Sequence, residues 1–230
     1  MVEVFDLTKQ YHGFTAIDSI SFSVPAGTVL GFVGSNGAGK TTTMKMITAN
    51  LLPTSGYAII SGHHLVENPQ KVRESIGFLP ENPPLYDVLT VGEQLDFVAR
   101  ARGCSRKRVG AVIERLSLSG WEKIKISTLS KGYRQRVGLA QAIVHEPKVL
   151  ILDEPMSGLD PLQIADVRQL IQQLAEQHTV ILSTHVLTEL DGMCDSLLVV
   201  DKGQIIANGS VSALKSEAGF GVQIILRSSS

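Results

Sequence analysis

Apolar and polar positions alternate strictly along Ser19-Ile20-Ser21-Phe22-Ser23-Val24 and more loosely along Val2-Glu3-Val4-Phe5. That period of two is the mark of strands with one covered face. Pro25-Ala26-Gly27 reads as the turn that follows. Thr28-Val29-Leu30-Gly31-Phe32-Val33 and Val149-Leu150-Ile151-Leu152 are nearly unbroken apolar runs, suited to strands buried on both faces. Met44, Ile47 and Leu51 recur at helical steps, as do Val167, Leu170, Ile171 and Leu174, which predicts two amphipathic helices. Tyr57-Ala58-Ile59-Ile60-Ser61 and Thr179-Val180-Ile181-Leu182-Ser183 predict further strands. Ser196-Leu197-Leu198-Val199-Val200 and Gln204-Ile205-Ile206-Ala207 predict a hairpin turning on Asp201-Lys202-Gly203. Residues 91–146 are more polar and helical in pattern, without a strand. Strand–helix alternation of this kind predicts an α/β fold with a parallel sheet, interrupted by a helical insertion. No internal repeat is present, and the serine-ended tail, Ser228-Ser229-Ser230, is expected to fray.

Length and charge narrow the class. A chain of 230 residues, 43% of them hydrophobic, suits one domain or one domain carrying an inserted subdomain. Its 21 basic and 22 acidic residues nearly cancel, so no global field steers it to nucleic acid or an anionic bilayer. No apolar run approaches the roughly 20 residues of a membrane-spanning helix, and the start of the chain lacks the basic-then-apolar pattern of a secretory signal. Any membrane role is therefore expected through a partner. Cys104 and Cys194 match neither a metal-ligand nor a redox spacing and read as reduced packing thiols.

Gly34-Ser35-Asn36-Gly37-Ala38-Gly39-Lys40-Thr41 fits the phosphate-binding loop at every fixed position. A buried strand precedes it and a helix follows. Glycines allow successive backbone N–H groups to converge on one concavity, and the helix adds its N-terminal dipole and unpaired amides. Lys40 would reach the β- and γ-phosphates and the Thr41 hydroxyl would ligate Mg²⁺. The loop specifies a nucleoside triphosphate, not a function.

Downstream segments discriminate further. The apolar run 149–152 ends in Asp153-Glu154-Pro155. Strand geometry would send the two carboxylates to opposite sides, leaving Asp153 to support Mg²⁺ and Glu154 to polarise the attacking water. Standing alone, such a pair is commonly a solvated strand end. Leu129-Ser130-Lys131-Gly132-Tyr133 precedes a helix in which Tyr133, Val137, Ala140 and Val144 share a face. Ser130 is placed to cap it, making either a second anion site or an ordinary capped helix.

In this order, and over nearly the whole chain, these segments resemble the ATP-binding subunits of ATP-binding-cassette (ABC) transporters. The resemblance implies a P-loop NTPase (RecA-like) fold forming a single nucleotide-binding domain over 1–230. That fold has a mixed, mainly parallel sheet, an antiparallel β subdomain and an α-helical subdomain inserted at roughly 91–146. It implies ATP and Mg²⁺ as cofactors, ATP hydrolysis, and action as a pair. Ser130, Lys131 and Gly132 of one copy would then meet the γ-phosphate held by the other. By the same resemblance Tyr11 stacks on adenine and Gly34 through Lys40, with Thr41 and Thr42, cradle the phosphates. Ser157-Gly158-Leu159-Asp160 would link the two sites, and His185 would contact the γ-phosphate; a lone histidine at a strand end is otherwise more often structural. The implied partners are a second copy or a homologous subunit and an integral membrane permease subunit, with no nucleic acid. The chain would sit at the cytoplasmic face of the membrane. Pro83, Pro84, Leu85 and Tyr86 are the expected dock for the permease, with the helical insertion forming the other side of the groove.

Two departures stand out. Glu81, in Gly77-Phe78-Leu79-Pro80-Glu81, occupies a position where the family commonly has Gln as a Mg²⁺ and water contact, and it adds negative charge beside a triphosphate. Lys131 and Tyr133 replace the commoner Gly and Gln. This variant set resembles bacterial export-type subunits, including those linked to gliding motility and copper-site maturation. Among rival readings, ribosome- or DNA-acting cassettes usually carry two fused cassettes, coiled-coil arms or zinc-binding cysteines. A GTPase switch would need an Asn-Lys-x-Asp segment, which is absent. A non-hydrolysing nucleotide sensor is the third. The cargo is not legible, because its contacts belong to the membrane subunit.

Overall fold

The computed structural model describes residues 1–217. β1 (Val2–Tyr11) and β2 (Phe14–Val24) form a hairpin, and β3 (Val29–Val33) runs into α1 (Lys40–Ile47). β4 (Ser55–Ile60), β5 (His63–His64), α2 (Pro69–Ser75) and β6 (Ile76–Leu79) follow. Three helices, α3 (Val91–Ala101), α4 (Arg106–Arg115) and α5 (Lys131–Ile143), then intervene before β7 (Val149–Asp153). The described chain ends with α6 (Pro161–Ala175), β8 (Thr179–Thr184), β9 (Ser196–Asp201), β10 (Gln204–Ser210) and α7 (Val211–Glu217).

Two sheets result. The antiparallel sheet has the order β2-β1-β4-β5, and the main sheet β10-β9-β3-β8-β7-β6 is parallel except for β10. Every residue of β3, β7 and β8 is buried, as their apolar runs require. Alternation then assigns each residue a layer. Leu30, Phe32, Val149, Ile151, Ile181 and Leu198 pack with Met44, Met46 and Ile47 of α1 and with the antiparallel sheet. Val29, Val33, Leu150, Leu152, Val180 and Leu182 pack with residues of α3 to α6. Each such side chain contributes roughly 1.5–3 kcal/mol on burial, so the sheet is held from both faces. It carries the ends of β3, β7 and β8 as one rigid edge.

Local chemistry explains the helix ends. Thr90 Oγ1 accepts from Glu93 N, and Glu93 Oε2 accepts from Thr90 N at 2.8 Å. That closed capping box starts α3 and holds the Glu93 carboxyl below its usual range. Several elements exceed the sequence pattern. β1 and β2 continue past the breaks in alternation because bulges shift their register, with Asp6 and Ser19 at φ 46° and 50°. α1 stops at Ile47, so Leu51 lies beyond it, after Ala49 turns at φ 57°. α2, β5 and β6 were not expected, since elements of two to seven residues carry too few positions to display a period. The serine-ended tail lies outside the described residues. Both cysteines are free and half-buried, and burial, with Asp195 alongside, pushes the Cys194 thiol up to about 12.

Two histidines are sequestered under the edge of the main sheet. His145 Nε2 donates to Ile76 O at 2.9 Å and His178 Nδ1 to Pro147 O at 2.7 Å. Their other ring nitrogens, His145 Nδ1 and His178 Nε2, are buried without a partner. Burial lowers both, His145 to about 4, with the Arg102 charge acting in the same direction. A proton added to either ring would create a buried donor with nothing to meet. The unfolded chain therefore takes up protons first, and stability is lost as pH falls from about 6.5 toward 4. Screening at the half-exposed His145 ring reduces its share to the order of 1 kcal/mol, or about 2–4 °C in Tm. His145→Gln keeps a donor for Ile76 O, so its Tm should fall less steeply with acid than the wild type's in a thermal melt series.

Candidate functional site

The loop after β3 closes against the start of α1. Gly39 caps that helix with φ 108°, without a side-chain hydrogen bond, and the first turn of α1 holds no acidic residue. The positive end of the helix is thus uncompensated from within. Lys40, only 5% exposed, donates from Nζ to Gly34 O at 2.7 Å and Ser35 O at 3.2 Å. Its ammonium also pairs with Glu154 Oε1 at 3.2 Å.

β7 supplies both carboxylates, but simple alternation does not divide them. The strand ends at Asp153, and Glu154 takes φ 49°, a left-handed conformation uncommon outside glycine. Ser183 at the end of β8 braces this turn. Its Oγ donates to Asp153 Oδ1 at 2.6 Å and accepts from Glu154 N at 2.9 Å. Asp153 is left 1% exposed, behind the site, while Glu154 faces Lys40. His185 Nδ1 meets Glu154 Oε2 at 3.0 Å. The hydrogen-bond network assigns the proton to Nδ1 when Glu154 is ionised.

These groups open on a cavity of about 390 Å³, within the usual range for small-molecule sites. Tyr11, Asn36, Gly37, Gly39, Lys40, Thr41, Thr42, Glu81, Glu154, Ser157 and His185 line it. Gly34 and Ser35 take part through the carbonyls that hold Lys40, and Ala38 is buried in the loop. Phe14 and Ala16 also line the cavity and were missed in the sequence. Phe14 pairs with Tyr11 across the β1–β2 hairpin and is 62% exposed. An aromatic so close to Tyr11 was the available signal; only the register shows that the two lie opposite one another.

The structure does not bring residues 130–132 to this cavity. Ser130 caps α5, its hydroxyl accepting from Tyr133 N. Ser130 and Gly132 line a separate hollow of about 90 Å³ beside Arg136, Gln163 and Asp166. Lys131 is exposed and lies against Gly158. Tyr133 lies against Trp121 with ring centroids 3.9 Å apart and ring planes tilted by 32°. The first turn of α5 has no acidic residue, so its N-terminus is also electropositive. Of the four residues expected to dock a partner, Pro84 and Tyr86 are exposed and Pro83 and Leu85 are partly buried. Pro83 packs toward Gly138 and Leu85 against the core. Tyr86, Phe97 and the 79%-exposed Val88 are exposed apolar side chains, with Tyr86 and Phe97 edge-to-face at 5.7 Å. No helix among the described residues is long and apolar enough to cross a membrane.

Comparison with known proteins agrees with this geometry. A family model described as ABC transporter matches residues 17–157. The chain is 39% identical over 209 residues to the uncharacterized ABC transporter ATP-binding protein YhcH of Bacillus subtilis (strain 168), covering 90% of this chain and 68% of that protein. It is 37% identical over 217 residues to the bacitracin transport ATP-binding protein BcrA of Enterococcus faecalis, covering 93% and 70%. A solved ATP-binding subunit of an ABC transporter superposes with TM-score 0.85 at 31% identity, covering 100% of this chain and 95% of the other.

Proposed function

The chain belongs to the ABC transporter family as an ATP-binding, ATP-hydrolysing subunit, and from that premise we propose that it works as a pair driving a membrane permease. The carrying observation is an incomplete site. Lys40, Glu154 and His185 share one cavity, whereas Ser130 and Gly132 front a different hollow on the same chain. Two copies related by a two-fold axis would each lend the start of α5 to the other's triphosphate, closing both sites together. Hydrolysis would place charge on separated products and let the pair open, which is the mechanical output.

Within each site the roles follow from position. Lys40 and the amides of the loop hold the phosphates, Tyr11 stacks on the base, and Glu154 orients and deprotonates water. His185, hydrogen-bonded to Glu154, keeps that carboxylate aimed and, with both ring nitrogens protonated, donates from Nε2 to the γ-phosphate. The residues fit Mg²⁺, which favours hard oxygen donors and retains water and phosphate ligands. Thr41 and Glu81 line the cavity, while Asp153, buried on Ser183, acts from behind. Bound there, Mg²⁺ would neutralise phosphate charge, and Glu81 would be a ligand in place of the commoner Gln. Tyr86, Val88 and Phe97 form the surface offered to the permease, at the cytoplasmic face of the membrane. The bacitracin transport relative supports transport as the output, and export is the direction we propose.

Pairing has a direct test. Ser130→Arg should abolish ATPase activity, as should Lys40→Ala. Mixed, half of the dimers carry both variants and one intact composite site, so activity should return to as much as about a quarter of the wild-type rate. A mixture as inactive as its components would refute the shared site.

A further inference from the structure

The turn between β9 and β10 is distant in sequence from the cavity yet bonded to both of its halves. Gly203 N donates to Ala38 O at 3.0 Å, inside the phosphate loop, and Asp18 N of β2 donates to Gly203 O at 2.9 Å. Gln204 Nε2 adds a bond to Asp18 Oδ2 at 2.9 Å. The Ala16 carbonyl is wedged at the same junction. A Cβ on Gly39 would stand 2.8 Å from it, and one on Gly203 would stand 2.7 Å away. Both glycines have left-handed φ, 108° and 80°. Ala16 in turn lines the cavity with Tyr11 and Phe14. One residue, through its N–H and its C=O, therefore ties the aromatic wall on β1 and β2 to the loop that follows β3.

We propose that Gly203 is a positioning residue that sets the spacing between the nucleobase wall (Tyr11, Phe14, Ala16) and the phosphate loop (Ala38, Gly39, Lys40). The proposal rests on reading this cavity as the nucleotide site. Gly203 does not touch the nucleotide. A ligand gripped at both ends gains from the second grip only while the two are held at the matching separation, and a preorganised site avoids the cost of finding it. The small, left-handed residue is needed because any side chain there meets the Ala16 backbone and must push the wall away from the loop.

Calorimetric titration of Gly203→Ala with Mg-ATP and with Mg-tripolyphosphate tests this, since tripolyphosphate engages only the loop. ATP affinity should fall about tenfold while tripolyphosphate affinity stays within about twofold. Gly103→Ala is the control for generic strain: its φ is 69°, and a Cβ there meets nothing within 4 Å. Asp18→Ala, which removes only the Gln204 bond, should shift ATP affinity in the same direction by about threefold. It carries the test if Gly203→Ala does not fold. Equal losses for both ligands, no loss for either, or an ATP-selective loss in Gly103→Ala would each overturn the proposal. A wild-type chain that binds neither ligand would instead overturn the site reading, and the proposal with it.

Discussion

Glu154→Gln should abolish turnover while leaving ATP bound. Among the described residues, the carboxylate is the only acidic group that reaches both Lys40, at 3.2 Å, and His185, at 3.0 Å. Its backbone is held by Ser183 in a conformation that turns it toward the cavity. An amide of the same shape keeps the packing and can still accept from His185, but it cannot take a proton from water. Losing a positioned general base costs typically 10²–10⁴-fold in rate, so a fall of at least about 10²-fold in kcat is expected. The amide also frees Lys40 from its ion pair, so nucleotide affinity should hold or rise. A paired, ATP-loaded species should accumulate, visible by size-exclusion chromatography with Mg-ATP. A kcat close to wild type would remove Glu154 from the role of base.

Lys40→Ala should abolish nucleotide binding itself. The ammonium is buried with two carbonyls and a carboxylate around it, so its removal leaves Glu154 as an uncompensated charge facing the incoming phosphates. Breaking one partner of a buried pair typically costs about 3–5 kcal/mol, so lost stability alone could weaken binding. The double variant Lys40→Ala with Glu154→Gln separates the two effects. It removes the stranded charge and should recover most of the thermal stability, yet nucleotide affinity should stay at least about 10²-fold below wild type. Recovery of tight ATP binding in the double variant would show that Lys40 serves the fold and not the phosphates.

The legible parts of this chain are those whose physics is local. Residues 34–41 declare a phosphate loop because glycine spacing, a lysine and a flanking strand and helix suffice to form one. The runs at 28–33 and 149–152 declare doubly buried strands because burial on both faces leaves little place for polar side chains. Ser130 announces a helix start by its own capping chemistry. The illegible parts were short or depended on register. β6 is four residues with a glycine inside, and the wall formed by Phe14 and Ala16 exists only because β1 and β2 pair with Tyr11 opposite Phe14.

By itself, then, the sequence determined the layered α/β class, the phosphate loop, the pair of carboxylates after a buried strand, and the likeness to a transporter ATPase subunit. Tertiary structure alone decided three things. It aimed Glu154 through a left-handed backbone braced from β8, where strand alternation had been the expectation. It placed Ser130 and Gly132 on a hollow apart from the cavity on their own chain. It brought Gly203 under the loop and wall it joins. Each depends on groups far apart in sequence meeting at one edge of the main sheet. That meeting follows from the strand order β9-β3-β8-β7, which is set by packing two cores against opposite faces and has no local signature in the residues concerned.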